Sequence, residues 1–150
     1  MEERRGFEDR LCVVTGAGSG LGAGIAEMLA ARGARVALMD IDAERAEATA
    51  QTIRSQGTDA SAYGVDVSDA DAFRDAVKAA VDAHGSLAVM VNNAGILDGY
   101  QRVDEIDEAM WRRVLYNNLT GVVLGCKISL EQMLSGGGGR IVNMASIAGL

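Results

Sequence analysis

Cys12-Val13-Val14-Thr15-Gly16-Ala17-Gly18-Ser19-Gly20-Leu21-Gly22 is the stretch whose reading decides the fold. An apolar run stops at Thr15, a glycine-dense turn follows, and helix-forming sequence resumes at Leu21. Strand, tight turn and helix start together present bare backbone N–H groups to a phosphate. The generic G-x-G-x-x-G/A pattern fits at Gly18, Gly20 and Ala23, but the first glycine should directly follow the strand, which selects Gly16, Gly20 and Gly22. Gly16 turns the chain off the strand, Gly20 lets a pyrophosphate approach the backbone, and Gly22 lets helix and strand pack closely. A glycine-rich turn with no ligand is the competing reading of this stretch alone.

The next strand supplies the second half of the argument. Ala34-Arg35-Val36-Ala37-Leu38-Met39 is a short, mostly apolar run ending in Asp40, 20 positions after Gly20. At that offset an acidic group meets the ribose hydroxyls of a dinucleotide. A lone Asp after a strand is otherwise a helix N-cap, but Asp42 can take that role and leave Asp40 for the sugar.

Outward from this core, helices and strands alternate. A helix from Leu21 to Arg32 stops at Gly33, and a polar, Ala-rich helix from Asp42 to Gln56 closes at Gly57. Ser61 to Val67 reads as a third strand, after which Ser68 or Asp69 caps a helix reaching His84. Leu87 to Val91 is continuously apolar, as expected of a strand covered on both faces. A loop around Ile96 to Arg102 leads to a long helix over Asp107 to Leu134, apolar nearly all round in its second half. Such a helix is expected to pack on the sheet and on another subunit. Gly136 to Gly139 then turn the chain into a fifth strand, Arg140 to Met144. The alternation predicts an α/β fold with a doubly wound parallel sheet and right-handed crossovers.

Composition removes several function classes. The 150 residues amount to one domain at most, 49% hydrophobic and 23% charged. A formal net charge of -7 with no basic stripe argues against nucleic acid. No apolar segment reaches the roughly 18 residues needed to span a bilayer, and the charged start, Met1 to Arg10, is unlike a signal peptide. Cys12 and Cys126 have no metal-ligand spacing and read as buried small side chains in a reducing cytoplasm. The single histidine, His84, cannot build a metal site and suits the negative end of its helix.

Five motifs in order give the chain a resemblance. Thr15-Gly16-Ala17-Gly18-Ser19-Gly20-Leu21-Gly22, Asp66-Val67, Asn92-Asn93-Ala94-Gly95, Asn118-Leu119-Thr120-Gly121 and Ile141-Val142-Asn143-Met144-Ala145-Ser146 together resemble the short-chain dehydrogenase/reductase family. The resemblance covers nearly the whole chain. It implies a Rossmann-type sheet of five strands in the order 3-2-1-4-5, with later strands and helices missing. It further implies a cofactor-binding set of Gly16, Ser19, Gly20, Leu21, Gly22, Asp40, Ile41, Asp66, Val67, Asn93, Ala94 and Gly95. Asp66 would accept from the adenine amino group, although a strand-end cap competes for it. Asn92 would tie neighbouring strand ends together, and Gly95 would leave room for the nicotinamide ribose. Ser146 would donate to a substrate carbonyl, and Asn118 rather than Asn117 would hold a water in a proton relay. The stretch Leu97 to Val103 is expected to line the substrate pocket.

The implied activity is an NAD(P)-dependent oxidoreductase that moves hydride between the nicotinamide cofactor and an alcohol or ketone; the alternative is a non-catalytic dinucleotide-binding or interaction module. Charge selects NAD. A 2′-phosphate beside Asp40 would face a like charge at a few ångströms, costing ~1 kcal/mol in water and ~4 at a protein surface. The family's proton-transfer pair, a Tyr with a Lys four positions later, is absent from the 150 residues. Val67, Asp104 and Thr120 follow Tyr63, Tyr100 and Tyr116 at that offset. The sequence reading is therefore of one NAD-binding domain over residues 1–150, cut after its fifth strand, inactive by itself, with an exposed apolar edge at Arg140 to Ala145. The small-molecule substrate goes unnamed, and a homodimer or homotetramer through helix 107–134 is expected.

Overall fold

The computed structural model describes residues 6–146. Five apolar runs form strands: β1 (Leu11–Thr15), β2 (Arg35–Asp40), β3 (Ala60–Gly64), β4 (Leu87–Asn92) and β5 (Arg140–Asn143). All pair in parallel, in the order β3-β2-β1-β4-β5. This is the Rossmann-like order expected from the sequence. It brings the carboxyl ends of β1, β2, β3 and β4 to one edge, where an open sheet whose order reverses forms its ligand crevice.

The period-two alternation of each strand splits the core into two layers. Cys12 and Val14 of β1 face one side, packed with Leu29 of α1 (Gly20–Ala31) and Ile53 of α2 (Ala43–Ser55). Leu11 and Val13 face the other, packed with Phe73 and Val77 of α3 (Ala70–His84). β1, at the centre of the sheet, is buried along its whole length.

Helix starts follow local chemistry. Asp42 caps α2 by accepting from Arg45 N–H, and Asp69 rather than Ser68 caps α3. α4 (Glu108–Leu115) is likewise capped by Asp107. α1 is different: Ser19 precedes it in extended conformation with no side-chain hydrogen bond, and its first turn carries no acid. The tip of α1 is thus left without a competing anion.

Two expectations need correction. The third strand stops at Gly64 instead of Val67, because Asp66 Oδ1 accepts from Ser68 N–H and Oγ–H and bends the chain into a turn. The long helix is not uniformly α-helical. A π-helical turn, Tyr116–Thr120, separates α4 from α5 (Gly121–Gly136). α5 presents one face to the sheet and leaves the other open in the single chain. Gly121, Gly125, Ile128, Ser129 and Met133 face the protein, whereas Leu119, Val123, Leu130 and Leu134 are exposed in the single chain. Glycine sets how closely α5 approaches, since a Cβ on Gly125 would lie 2.0 Å from Asn92 Oδ1. Among the described residues β5 is an edge strand, with Val142 and Met144 exposed.

The two cysteines and the histidine also differ from one another in ways the sequence did not show. Cys126 is half-buried rather than buried, beside Asn143 and Asn92. His84 is buried at the end of α3, with Nε2 2.8 Å from Ser61 Oγ and Nδ1 3.0 Å from Asp59 Oδ2. It therefore fastens α3 to the start of β3 in addition to sitting at a helix end. Cys12 is fully buried, and burial pushes its thiol from 9.0 up to about 11 against a weaker opposing pull from Arg10. The thiol thus stays protonated in the fold where an unfolded chain would ionise, so stability is lost as pH rises from 9 to 11. Alkylation at pH 8.5 should label Cys126 well before Cys12, with both labelled together in denaturant. Equal native rates, read by mass spectrometry, would contradict the burial.

Candidate functional site

A cleft of about 380 Å³ opens at the carboxyl edge of the sheet, between the ends of β1, β2, β3 and β4. Its lining contains all twelve residues expected to bind cofactor: Gly16, Ser19, Gly20, Leu21, Gly22, Asp40, Ile41, Asp66, Val67, Asn93, Ala94 and Gly95. Val65, Ile96 and Asn117 complete it.

The floor is the β1–α1 turn. Gly16 and Gly20 have φ of +63° and +55°, the left-handed region that favours glycine. Gly20 has open space around it, leaving its backbone approachable. A Cβ on Gly22 would lie 2.0 Å from Gly16 O and 2.7 Å from Asn93 Nδ2, so the helix tip can fold down on the turn only with glycine there.

Thr15, which sequence reasoning treated only as the end of a strand, is the joint of this floor. Its buried hydroxyl accepts from Asn93 N–H and Ala94 N–H, each at 3.0 Å, and donates toward Val91 O at 3.4 Å. Asn93 returns the connection, its Nδ2 donating to Thr15 O at 3.0 Å and toward Gly16 O at 3.4 Å. The glycine turn and the segment after β4 are thereby one rigid unit. Asn92 makes the next link, donating from Nδ2 to Asn143 Oδ1 at 2.8 Å and so tying β4 to β5.

Asp40 is oriented by its own neighbourhood. Oδ2 accepts from Gly18 N–H at 2.8 Å and Oδ1 from Asp42 N–H at 3.0 Å. Two backbone donors fix the carboxylate, and each oxygen keeps a lone pair for a further donor. Asp66 uses Oδ1 on Ser68, while Oδ2 accepts no hydrogen bond from the described residues. The cleft therefore has a donor-rich helix tip with no side-chain cap at one end and two acceptor carboxylates at the other.

The two residues assigned to catalysis lie outside this lining. Asn118 is exposed in the π turn, where its Nδ2 donates to Ile96 O at 2.8 Å and its Oδ1 accepts from Ile96 N–H at 2.9 Å. It clamps the loop after β4, and its neighbour Asn117 lines the cleft. Ser146 follows β5 as an exposed, hydrogen-bonded or otherwise engaged residue at the last described position. A Cβ on Gly95 would stand 3.4 Å from Asn118 Oδ1, 3.8 Å from Asn118 Cγ and 3.9 Å from Asn93 O, all ordinary van der Waals contacts. The stretch Leu97 to Val103 contributes nothing to the cleft: Leu97, Tyr100 and Val103 are exposed. Among the described residues no cluster of acids, cysteines and histidine could hold a metal, and no helix is long and apolar enough to cross a membrane.

Comparison with known proteins gives a consistent picture. The family profile described as short chain dehydrogenase matches residues 10–150. Cis-4-hydroxycyclohexanecarboxylate dehydrogenase of Sinomonas cyclohexanicum is 44% identical over 143 residues, covering 95% of this chain and 57% of that protein. The crystal structure of an NAD+-bound xylitol dehydrogenase superposes with a TM-score of 0.92 at 35% identity, covering 96% of this chain and 55% of the other. A metagenomic short-chain oxidoreductase in complex with NADP gives 0.89 at 33% identity, covering 96% and 65%. The chain spans about half the length of the curated relatives it matches.

Proposed function

From the premise that this chain belongs to the short chain dehydrogenase family, we propose that its cleft binds NAD as part of an oxidoreductase acting on a small alcohol or ketone. One observation carries the reading: the α1 tip lacks a side-chain cap and an acidic first turn, and it faces the same cleft as an Asp40 already oriented by two backbone N–H groups. The first feature suits a pyrophosphate and the second a ribose diol. Asp66 and Val67 would take the adenine, and Asn93 to Gly95 the nicotinamide ribose. The bound dinucleotide would supply the hydride chemistry, and the chain's residues would supply position.

Two further roles belong to the same proposal. Ser146 would donate its hydroxyl to a substrate carbonyl, steadying the oxygen as it gains charge. Asn118 would act chiefly by holding Ile96, with one N–H and one lone pair left over for a water. The exposed row of Leu119, Val123, Leu130 and Leu134 supports self-association through helix 107–134. A reducing cytoplasm fits the two unpaired thiols.

NAD is preferred over NADP because a 2′-phosphate would approach the Asp40 carboxylate, and like charges at such range are costly. Calorimetric titration should show NAD+ binding at least about tenfold tighter than NADP+. Equal affinities would sink the NAD preference, and no binding of either would sink the cofactor site. Because no tyrosine here is followed four positions on by lysine, the 150 residues should bind NAD+ yet reduce none of it with secondary alcohols. Binding without turnover is also what the non-catalytic module predicts. The two readings part when a tyrosine and lysine so spaced are supplied on an appended carboxyl-terminal segment.

A further inference from the structure

The charges around Asp40 carry a second specificity element, one that rests on the dinucleotide reading above. A Cβ placed on Gly18 would lie 2.8 Å from Arg45 Cβ and 2.9 Å from Asp40 Oδ2. The root of the Arg45 side chain and the carboxylate that would receive the ribose therefore both border Gly18. Its guanidinium is turned away: Nε is 3.1 Å from Asp42 Oδ2, the partner that also caps α2 by accepting from Arg45 N–H. Both Nη groups are without a partner among the described residues. The arginine and aspartate side chains are 67% and 44% exposed, and an ion pair that open is weakly held.

Arg45 is the only Lys or Arg between Arg35 and Arg54. Arg35 is committed to Asp9 and to His84 O, and Arg54 to Glu47 and Ala60 O. A guanidinium presents planar paired donors that match a phosphate. Here one is rooted next to the 2′ position and diverted by a neighbouring acid.

We propose that Arg45 is a latent ligand for a 2′-phosphate, held off by Asp42, so that discrimination between NAD and NADP is set by Asp40, Asp42 and Arg45 jointly. Asp40 repels the phosphate, and Asp42 withholds a cation able to offset the repulsion. Gly18 has no side chain, which lets Arg45 lie against the turn at all.

The test is the ratio of NADP+ to NAD+ affinity, measured by calorimetry on the purified chain and four variants. Asp40→Ser should raise the ratio at least about tenfold, the worth of a charge-assisted hydrogen bond. Adding Arg45→Gln should remove most of that gain, and adding Arg45→Lys instead should keep part of it. Asp42→Ser retains a capping hydroxyl and should also raise the ratio, since it frees the guanidinium. Rising salt should erode the NADP+ gain faster than NAD+ binding. A merely structural role for Arg45 would weaken both dinucleotides alike and leave the ratio where Asp40→Ser put it; that result overturns the proposal. If the unsubstituted chain binds NAD+ and only the ratio fails to move, this inference alone is lost. If no form binds either dinucleotide, the cofactor reading is lost and this one with it.

Discussion

Gly22→Ala is expected to unfold the chain or lower its stability by about 3 kcal/mol or more, the upper range for overpacking a tight site. Propensity alone predicts the opposite sign, because Ala in place of a helical Gly gains up to about 1 kcal/mol. Contact decides. The new Cβ would stand 2.0 Å from Gly16 O and 2.7 Å from each of Gly16 C and Asn93 Nδ2. Two of these are backbone atoms of a turn that Thr15 and Asn93 hold rigid, so nothing flexible can give way. Whatever folded protein remains should bind NAD+ at least about tenfold more weakly, as α1 must lift off the glycine turn proposed to hold the pyrophosphate. Gly24→Ala is the internal control. It lies in the same helix with nothing within 4 Å, and should raise stability by about 0.5–1 kcal/mol. Urea denaturation of both variants decides: if the two shift stability in the same direction, the close packing of helix on turn is wrong.

Thr15→Val should cost about 2–4 kcal/mol although it keeps the side-chain shape. The hydroxyl accepts from two backbone N–H groups, of Asn93 and Ala94, and the site is buried. Replacing it with a methyl strands both donors, and a buried donor left unpaired costs about 1–3 kcal/mol. Thr15→Ser retains the acceptor and should lose only the methyl's burial, about 1 kcal/mol. Because Ala94 lines the cleft, Thr15→Val should weaken NAD+ binding as well, while Thr15→Ser leaves more of it. A Thr15→Val chain as stable as the Thr15→Ser chain would mean that the hydroxyl does not join the two loops.

The alternation of strands and helices, the glycine turn and Asp40 were legible because their signals are local, whereas the strand order and the rest of the cleft followed from the family resemblance. Each strand is a short run whose apolar side chains must be buried on both faces, so the pattern persists whatever surrounds it. Gly16, Gly20, Asp40, Asp66 and Asn93 each sit at or just past the carboxyl end of a strand, and parallel strands put all such ends on one edge. The helix start at Gly20 and the caps at Asp42 and Asp69 are local chemistry in the same sense.

Other features depend on partners distant in sequence. Asn118 is implied to hold a water, and nothing local shows that its amide bonds both N–H and C=O of Ile96, 22 positions earlier. His84 reads as a helix-end residue, but its ring is fixed by Asp59 and Ser61, whose approach depends on how α3 crosses back to β3. The same is true of Arg45, whose place beside Asp40 is created by the glycine turn folding over β2.

By itself, then, the sequence determined the alternation of strand and helix, the parallel sheet, and the glycine turn with Asp40 one strand over, because burial period and turn chemistry act over a few residues; the other cleft residues came from the motifs shared with the family. Only the tertiary structure decided that Thr15 bolts the glycine turn to the segment after β4, that the long helix is opened by a π turn, and that Arg45 is diverted from the site beside it. Each of these is a hydrogen bond or contact between segments whose separation in space no local pattern encodes.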